Sequence, residues 1–74
     1  MPYPELGVNL TAARVAAGLS RETVAAHLEK SFSSIVGYER GVTSPPIPVL
    51  VQLADLYDVP VGALFGDSAV SNVA

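Results

Sequence analysis

Cysteine is absent from this 74-residue chain, and histidine occurs once, as His27. Without cysteine, neither a disulfide framework nor a thiolate zinc site can hold the fold together, which suits a reducing cytoplasm. The sequence also has no cluster of histidine with carboxylates and no glycine-rich phosphate loop, so it offers little material for an active site. We therefore expect a protein that is not an enzyme, needs no metal or cofactor, and keeps His27 in solvent.

Positive charge is scarce: four Lys or Arg residues stand against seven Asp or Glu, and the net charge is −3. This acidic balance argues against a domain whose affinity rests on neutralising phosphates. Half of the residues are apolar and 15% are charged, a composition too hydrophobic for a disordered chain. A chain of this size buries only roughly 60% of its unfolded surface, which is close to the lower limit for folding around one core. A single domain is therefore expected.

Long uninterrupted apolar runs are missing as well. The most apolar stretch, residues 47–65, is interrupted by Pro48, Asp55, Asp58 and Pro60, which a membrane-spanning helix hardly tolerates. The amino end, MPYPELGVN, has no basic region followed by an apolar run, so a secretory signal is not expected. These features predict a soluble, cytoplasmic protein without a membrane partner.

Apolar residues at spacings of three and four predict short helices, and no useful period-two alternation indicates a strand. The first helix is predicted over about Glu5–Ala17, with Gly18 as its stop. Its buried face is expected to comprise Leu6, Leu10, Ala13 and Ala17. Ser20 is a suitable cap for a second helix over about Arg21–Leu28. The inward stripe of this second helix is Val24, Ala25 and Leu28.

Three further helices follow in the same way. Ser31 can cap a third helix over about 32–40, which Gly41 would close in a left-handed conformation. Its buried face would comprise Ile35 and Tyr38. A fourth helix is predicted over about Ile47–Tyr57, ended by Asp58, and a short fifth over about Pro60–Leu64. The predicted inward residues of these two are Ile47, Leu50, Leu53, Ala54 and Tyr57, then Val61, Leu64 and Phe65.

The second and third predicted helices are separated by only about three residues, the spacing of a helix-turn-helix unit whose second helix enters a DNA major groove. Many small helical domains have such a pair without touching nucleic acid. More specific are Arg14 with AAGLS (16–20), VAAHL (24–28), Ser31, Ile35, YERG (38–41), Pro45, LVQLADLYDVPV (50–61) and Leu64. Across 6–65 the sequence resembles the phage repressor and Cro-like (XRE-type) helix-turn-helix family.

That resemblance implies an all-α, compact five-helix, lambda-repressor-like DNA-binding domain over residues 1–66, followed by a flexible tail at 67–74. In the family, an arginine of the first helix commonly pairs with the glutamate of the ERG motif. Here these residues are Arg14 and Glu39, and the alternative is two independent surface charges. Arg14 lies on the predicted face of Leu10 and Ala17, where an unpaired charge would be costly, which favours the pair.

The resemblance also implies which residues contact DNA. The base-facing positions are Phe32, Ser33 and Gly37, with Ser34 and Val36 nearby. The phosphate-facing positions are Arg21, Lys30, Ser31, Arg40, Thr43 and Ser44. Ser31 can cap the third helix and contact a phosphate at the same time.

The base-facing residues depart from the usual pattern, because none is an Arg, Lys, Asn or Gln able to make paired hydrogen bonds. Ser33 and Ser34 can bond almost any base edge, while Phe32 and Val36 can pack on thymine methyl groups. Phe32 has a second interpretation, as the anchor of a protein interface. Gly37 either permits a close approach or merely weakens the helix by about 1 kcal/mol.

The leading hypothesis is a sequence-specific transcriptional regulator, a repressor of bacterial or phage type, that binds double-stranded DNA as a homodimer. Two surfaces are candidates for the dimer contact. One is the apolar surface of helices four and five, including Leu56 and Phe65, and the other is the AVSNVA tail. The alternative is a helix-turn-helix module that binds another protein, such as an antirepressor. The acidic balance and the exposed positions of Phe32 and Val36 favour that alternative.

Overall fold

The computed structural model describes residues 4–66, so the tail predicted at 67–74 lies outside the described residues. Within 4–66 the backbone forms five helices and no strand, as the sequence predicts. They are α1 (Pro4–Ala16), α2 (Arg21–Leu28), α3 (Phe32–Arg40), α4 (Ile47–Tyr57) and α5 (Val61–Leu64). No helix in this part of the chain is long and apolar enough to cross a bilayer.

One core joins all five helices. Each helix contributes at least one large, almost completely buried side chain, and these include Leu10, Val24, Ile35, Leu53 and Leu64. α1 packs mainly on α3, α2 packs on α3, and α5 packs on α1 and α4. Helices this short are unstable alone in water, so the shared core is what keeps each of them helical.

Local capping sets where α2 and α3 begin and where α3 ends. The backbone N–H of Thr23 donates to the Ser20 hydroxyl at 3.1 Å, and that of Ser34 donates to the Ser31 hydroxyl at 3.1 Å. Each bond satisfies an amide that the first helical turn leaves without a partner. α3 ends at Gly41, whose φ of 76° lies in the left-handed region. Both predicted caps and the predicted stop are therefore confirmed.

One predicted buried residue of α1 is wrong, whereas the predicted stop at Gly18 is confirmed. α1 ends at Ala16, and Ala17 is exposed instead of buried. Gly18 takes a φ of 75°, and the N–H of Leu19 donates to the carbonyl of Arg14 at 3.2 Å. The chain therefore leaves the direction of α1 directly after Ala17, which lies past the last residue of the helix.

Two inward positions near the other helix ends are also wrong. Ile47 is 69% exposed, and Val49 is buried in α4. Ala54, seven residues later and on the same side of the helix as Ile47, is buried, so Ile47 is exposed because it lies in the first turn, at the edge of the core. Phe65 follows the last residue of α5 and is 46% exposed. α5 begins at Val61 because Pro60 occupies the N-cap.

A glycine lets α1 come close to the end of α3. A β-carbon on Gly7 would lie 2.9 Å from the carbonyl carbon of Glu39 and 3.0 Å from the amide nitrogen of Gly41. Real β-carbons do not approach backbone atoms this closely. Gly7 therefore fixes the distance between α1 and α3, and with it the position of the ERG motif.

Candidate nucleic-acid interface

The connection between α2 and α3 is a three-residue turn. Glu29 adopts the left-handed conformation with a φ of 56°, and its N–H donates to the carbonyl of Ala26 at 3.2 Å. The N–H of Lys30 donates to the carbonyl of Ala25 at 2.9 Å, and Ser31 then caps α3. The turn therefore ends one helix and starts the next, with the amides of Glu29, Lys30 and Ser34 all hydrogen-bonded.

Arg14 and Glu39 form an internal ion pair between α1 and α3. The Nε of Arg14 donates to Oε2 of Glu39 at 2.7 Å, and Nη2 donates to Oε1 at 3.3 Å. Each residue is only 8% exposed, so these are not independent surface charges. The hydrogen bond to Glu39 raises the pKa of Arg14 above its usual value, against the opposing effect of burial. Nη1 also donates to the carbonyl of Leu19 at 2.9 Å.

Arg21 shares the same carboxylate, which the sequence did not indicate. Its Nε donates to Oε1 of Glu39 at 2.9 Å, and its side chain is 43% exposed. Two guanidinium groups and one carboxylate together carry a net charge of about +1. Glu39 therefore orients Arg21 at the start of α2, while part of the Arg21 guanidinium remains accessible to an anion.

Most of the residues assigned to bases line one open cavity, with a volume of about 340 Å³, between α3 and the loop after it. We call this cavity the α3 groove. It is lined by Phe32, Ser33, Val36, Gly37, Arg40 and Val42. Arg40, which the resemblance assigns to a phosphate, lies on the same surface as the base-facing residues. Val42 was not predicted to belong to the site.

Val42 reaches the α3 groove because the chain folds back after Gly41. The N–H of Val42 donates to the carbonyl of Gly37 at 3.0 Å, and that of Thr43 reaches the same carbonyl at 3.3 Å. Val42 stays 57% exposed. A residue that follows a left-handed glycine often packs back over the last helical turn, so Gly41 is the sequence signal that would have identified Val42.

Gly37 makes room for this returning loop. A β-carbon at Gly37 would lie 2.9 Å from the Thr43 hydroxyl oxygen. The close approach that the sequence suggests at Gly37 is therefore made, at least in part, by the chain itself. Gly37 therefore lines the groove through its backbone alone.

The other assigned residues lie around the groove. Ser34 is not one of its lining residues, and its hydroxyl is hydrogen-bonded to that of Ser31 at 2.9 Å. Lys30, Ser31, Thr43 and Ser44 are exposed, as phosphate contacts require. His27 is exposed in α2, and within residues 4–66 no three His, Cys, Asp or Glu side chains are grouped to hold a metal.

Charge is distributed unevenly around the α3 groove. In residues 30–44, Lys30 and Arg40 are both exposed, whereas the single acidic residue, Glu39, is buried and bonded to two arginines. The chain as a whole has a charge of −3. The outer side of α3 is therefore locally positive on an acidic protein, which favours a polyanionic partner at this face.

The sequence profile of the helix-turn-helix domain matches residues 5–65. No curated protein matches the chain significantly. The matched range runs from the first turn of α1 to the residue after α5, so it includes the ion pair, the α2–α3 turn and the α3 groove. Domains of this kind bind DNA through the second helix of the motif. The chain therefore belongs to the helix-turn-helix domain family, in its Cro/repressor-like (XRE-type) form.

Proposed function

We propose that this protein is a cytoplasmic, sequence-specific transcriptional repressor that inserts α3 into the DNA major groove. The observation that supports this most is the α3 groove, where four base-facing residues lie together on an outward surface beside exposed cations. A major groove about 12 Å wide admits one α-helix. The exposed side of α3 and the loop after it are free of bulky acidic side chains, so both can approach the duplex.

Each assigned residue has a defined part in this proposal. Phe32, Ser33, Val36 and Gly37 face the bases, and Ser34 lies at their edge. The residues proposed for phosphates are Arg21, Lys30, Ser31, Arg40, Thr43 and Ser44. Arg21 is the most constrained of these, because Glu39 holds its Nε, and a side chain fixed in advance loses less entropy on binding. Arg14 and Glu39 act in the fold and not on DNA.

The repressor is proposed to act as a homodimer on a two-fold site whose halves are about 34–36 Å apart. A single copy offers few cations to the backbone, so two copies are needed for useful affinity at ordinary salt. Val51 on α4 and Phe65 directly after α5 are exposed apolar side chains, and Leu56 on α4 is half-buried. These residues are the surface from which a dimer contact is proposed.

Selection of bound sequences from a random duplex pool tests the proposal directly. We expect one sequence to be enriched, as an inverted repeat, and a complex with two copies of the chain by sedimentation. Arg40→Ala and Lys30→Ala should each weaken binding to the enriched site. Val15→Ala is the matched control, because Val15 is equally exposed but lies on α1. A pool that shows no enrichment contradicts DNA recognition.

A protein-binding module is the second candidate, and a specific observation favours it. The groove is largely apolar, with Phe32 and Val42 exposed, and the chain is acidic. A titration with random duplex DNA at low ionic strength separates the candidates. A repressor retains measurable, salt-sensitive affinity for any duplex, whereas a protein adaptor shows none.

A further inference from the structure

We infer that the α3 groove recognises the 5-methyl group of a pyrimidine, so that the protein prefers thymine over uracil and 5-methylcytosine over cytosine at one position of each half-site. This inference rests on the proposed DNA binding and adds the chemical class of the base that is read. It makes 5-methylcytosine a ligand of the same surface, so binding would respond to methylation of the DNA.

Phe32, Val36 and Val42 give the groove apolar walls, and Ser33 and Arg40 add polar groups to its lining. Phe32 is 46% exposed and Val42 is 57% exposed, and Val36 lies half-buried beside them. Thymine and 5-methylcytosine differ from uracil and cytosine at the major-groove edge only by an apolar methyl group. Apolar walls gain free energy by covering that methyl group and gain nothing from the hydrogen-bonding edge. The composition of the groove therefore selects for the methyl group.

The shape of the groove also suits a small protruding group. Gly37 lines the groove without a side chain of its own, and the Thr43 hydroxyl oxygen lies 2.9 Å from where a β-carbon on Gly37 would be. The result is an indentation bounded by Phe32 on the α3 side and Val42 on the loop side. A methyl group on a base edge can enter such an indentation, whereas a flat, unmethylated edge leaves it empty.

Charge identifies DNA, and not an apolar protein segment, as the occupant. Arg40 lines the groove and Lys30 is exposed near the start of α3. Glu39, the single acidic residue of 30–44, is buried and bonded to Arg14 and Arg21. An apolar groove with Arg40 in its lining and Lys30 near the start of α3 matches a base methyl group flanked by phosphates.

Thymine-to-uracil substitution in the enriched duplex isolates the methyl group, because the base pair and its hydrogen bonds are unchanged. We expect the substitution at one position per half-site to weaken binding about fourfold, the value of covering one methyl group, and about fifteenfold when both half-sites are changed. At that position, 5-methylcytosine should bind about fourfold tighter than cytosine. Fluorescence anisotropy with labelled duplexes measures each ratio.

Two variants connect the effect to the groove. Val42→Ala and Phe32→Ala remove one wall each, and both residues are exposed, so the fold is retained and thermal unfolding checks this. In each variant, the ratio of the affinity for the thymine duplex to the affinity for the uracil duplex should fall close to one. The control Val15→Ala, at an exposed valine of α1, should keep the full ratio.

The outcomes are distinguishable. If the wild-type protein binds its selected site but has equal affinity for thymine and uracil at every position, the inferred recognition of the methyl group is wrong and the proposed DNA binding stands. If the ratio persists in both wall variants, the groove is not the reader and the inference is also wrong. If no duplex is bound specifically, the proposed function itself fails, and the inference fails with it.

Discussion

At the scale of single residues, the interface depends on Glu39. Its carboxylate accepts hydrogen bonds from Arg14 and Arg21, and it is buried between α1 and α3. A buried ion pair is a weak source of net stability, but removing one partner leaves the other charge without compensation in a poorly solvated place. The same carboxylate thus stabilises the fold and orients an arginine on the surface.

Glu39→Ala should therefore lower the free energy of unfolding by roughly 3–5 kcal/mol, because Arg14 would stay buried without its acid. Urea denaturation of the purified domain measures the change. Glu22→Ala is the matched control, since Glu22 is exposed in the first turn of α2 and its removal should cost less than about 1 kcal/mol. Equal stability of Glu39→Ala and wild type would show that the pair does not support the fold.

Tyr57 gives the domain a pH dependence at alkaline pH. The pKa of Tyr57 is raised to about 12, chiefly by burial and also by the charge of Glu39, against the opposing charge of Arg14. The unfolded chain releases this proton near pH 10 and the folded chain near pH 12, so the unfolded state holds fewer protons in between. Stability is therefore fully present below about pH 10 and falls as the pH rises towards 12.

Tyr57→Phe removes this titration and is expected to unfold less readily than wild type as the pH rises from 10 to 12. The difference in unfolding free energy should grow by at most about 2 kcal/mol over that range. Thermal unfolding of both proteins at a series of alkaline pH values measures it. Parallel curves for the two proteins would mean that Tyr57 ionises equally easily in the folded and unfolded states.

At the scale of helices and turns, the α2–α3 connection contains a residue poorly suited to its conformation. Glu29 has a φ of 56°, a region that costs a residue with a β-carbon roughly 1–2 kcal/mol and glycine very little. Glu29→Gly is therefore expected to raise the free energy of unfolding by about 1 kcal/mol, somewhat reduced by the greater freedom of glycine in the unfolded chain.

Glu29→Gln is the control for this substitution, because it removes the charge and keeps the β-carbon. Chemical denaturation of the three proteins should find glutamine close to wild type and glycine more stable. A glycine variant no more stable than the glutamine variant would contradict the strain at this turn.

The same scale explains what the sequence predicts and what it does not. Ser20, Ser31 and Gly41 act on backbone groups within a few residues, so local chemistry was enough to predict where α2 and α3 begin and where α3 ends. Val42, by contrast, belongs to the groove through the fold of the chain after α3, and Ile47 is exposed because the core does not extend to the first turn of α4. Such orientations depend on packing that no local pattern encodes.

Contacts between residues that are far apart in the sequence were likewise predicted only in part. The family resemblance implied the pairing of Arg14 with Glu39, whose side chains the structure brings together. Nothing in the pattern indicated that Arg21 shares the carboxylate, or that Gly7 is needed where α1 meets the end of α3. Both depend on distances between helices that are far apart in sequence, and the sequence supplies no measure of these distances.

At the scale of the whole molecule, the acidic net charge and the positive outer face of α3 act in opposite directions. Glu22 and Glu29 are exposed in the same part of the chain as the proposed phosphate contacts. Exposed charges that lie farther apart than a Debye length of roughly 8–10 Å are screened from each other at physiological salt. The net charge therefore lowers long-range attraction to DNA, while cations that touch phosphates keep their full local effect.

The salt dependence of DNA binding should reveal both the number of cations engaged and the number of copies bound. Arg14 is internal, so Arg21, Lys30 and Arg40 remain for phosphates in each copy. At about 0.9 per phosphate, the slope of log affinity against log salt should be under 3 for one copy and near 5 for a dimer. Lys30→Ala should reduce the dimer slope by about 1.8, because one contact is lost in each half-site. Val15→Ala should leave the slope unchanged, and a wild-type slope near zero would exclude phosphate contacts altogether.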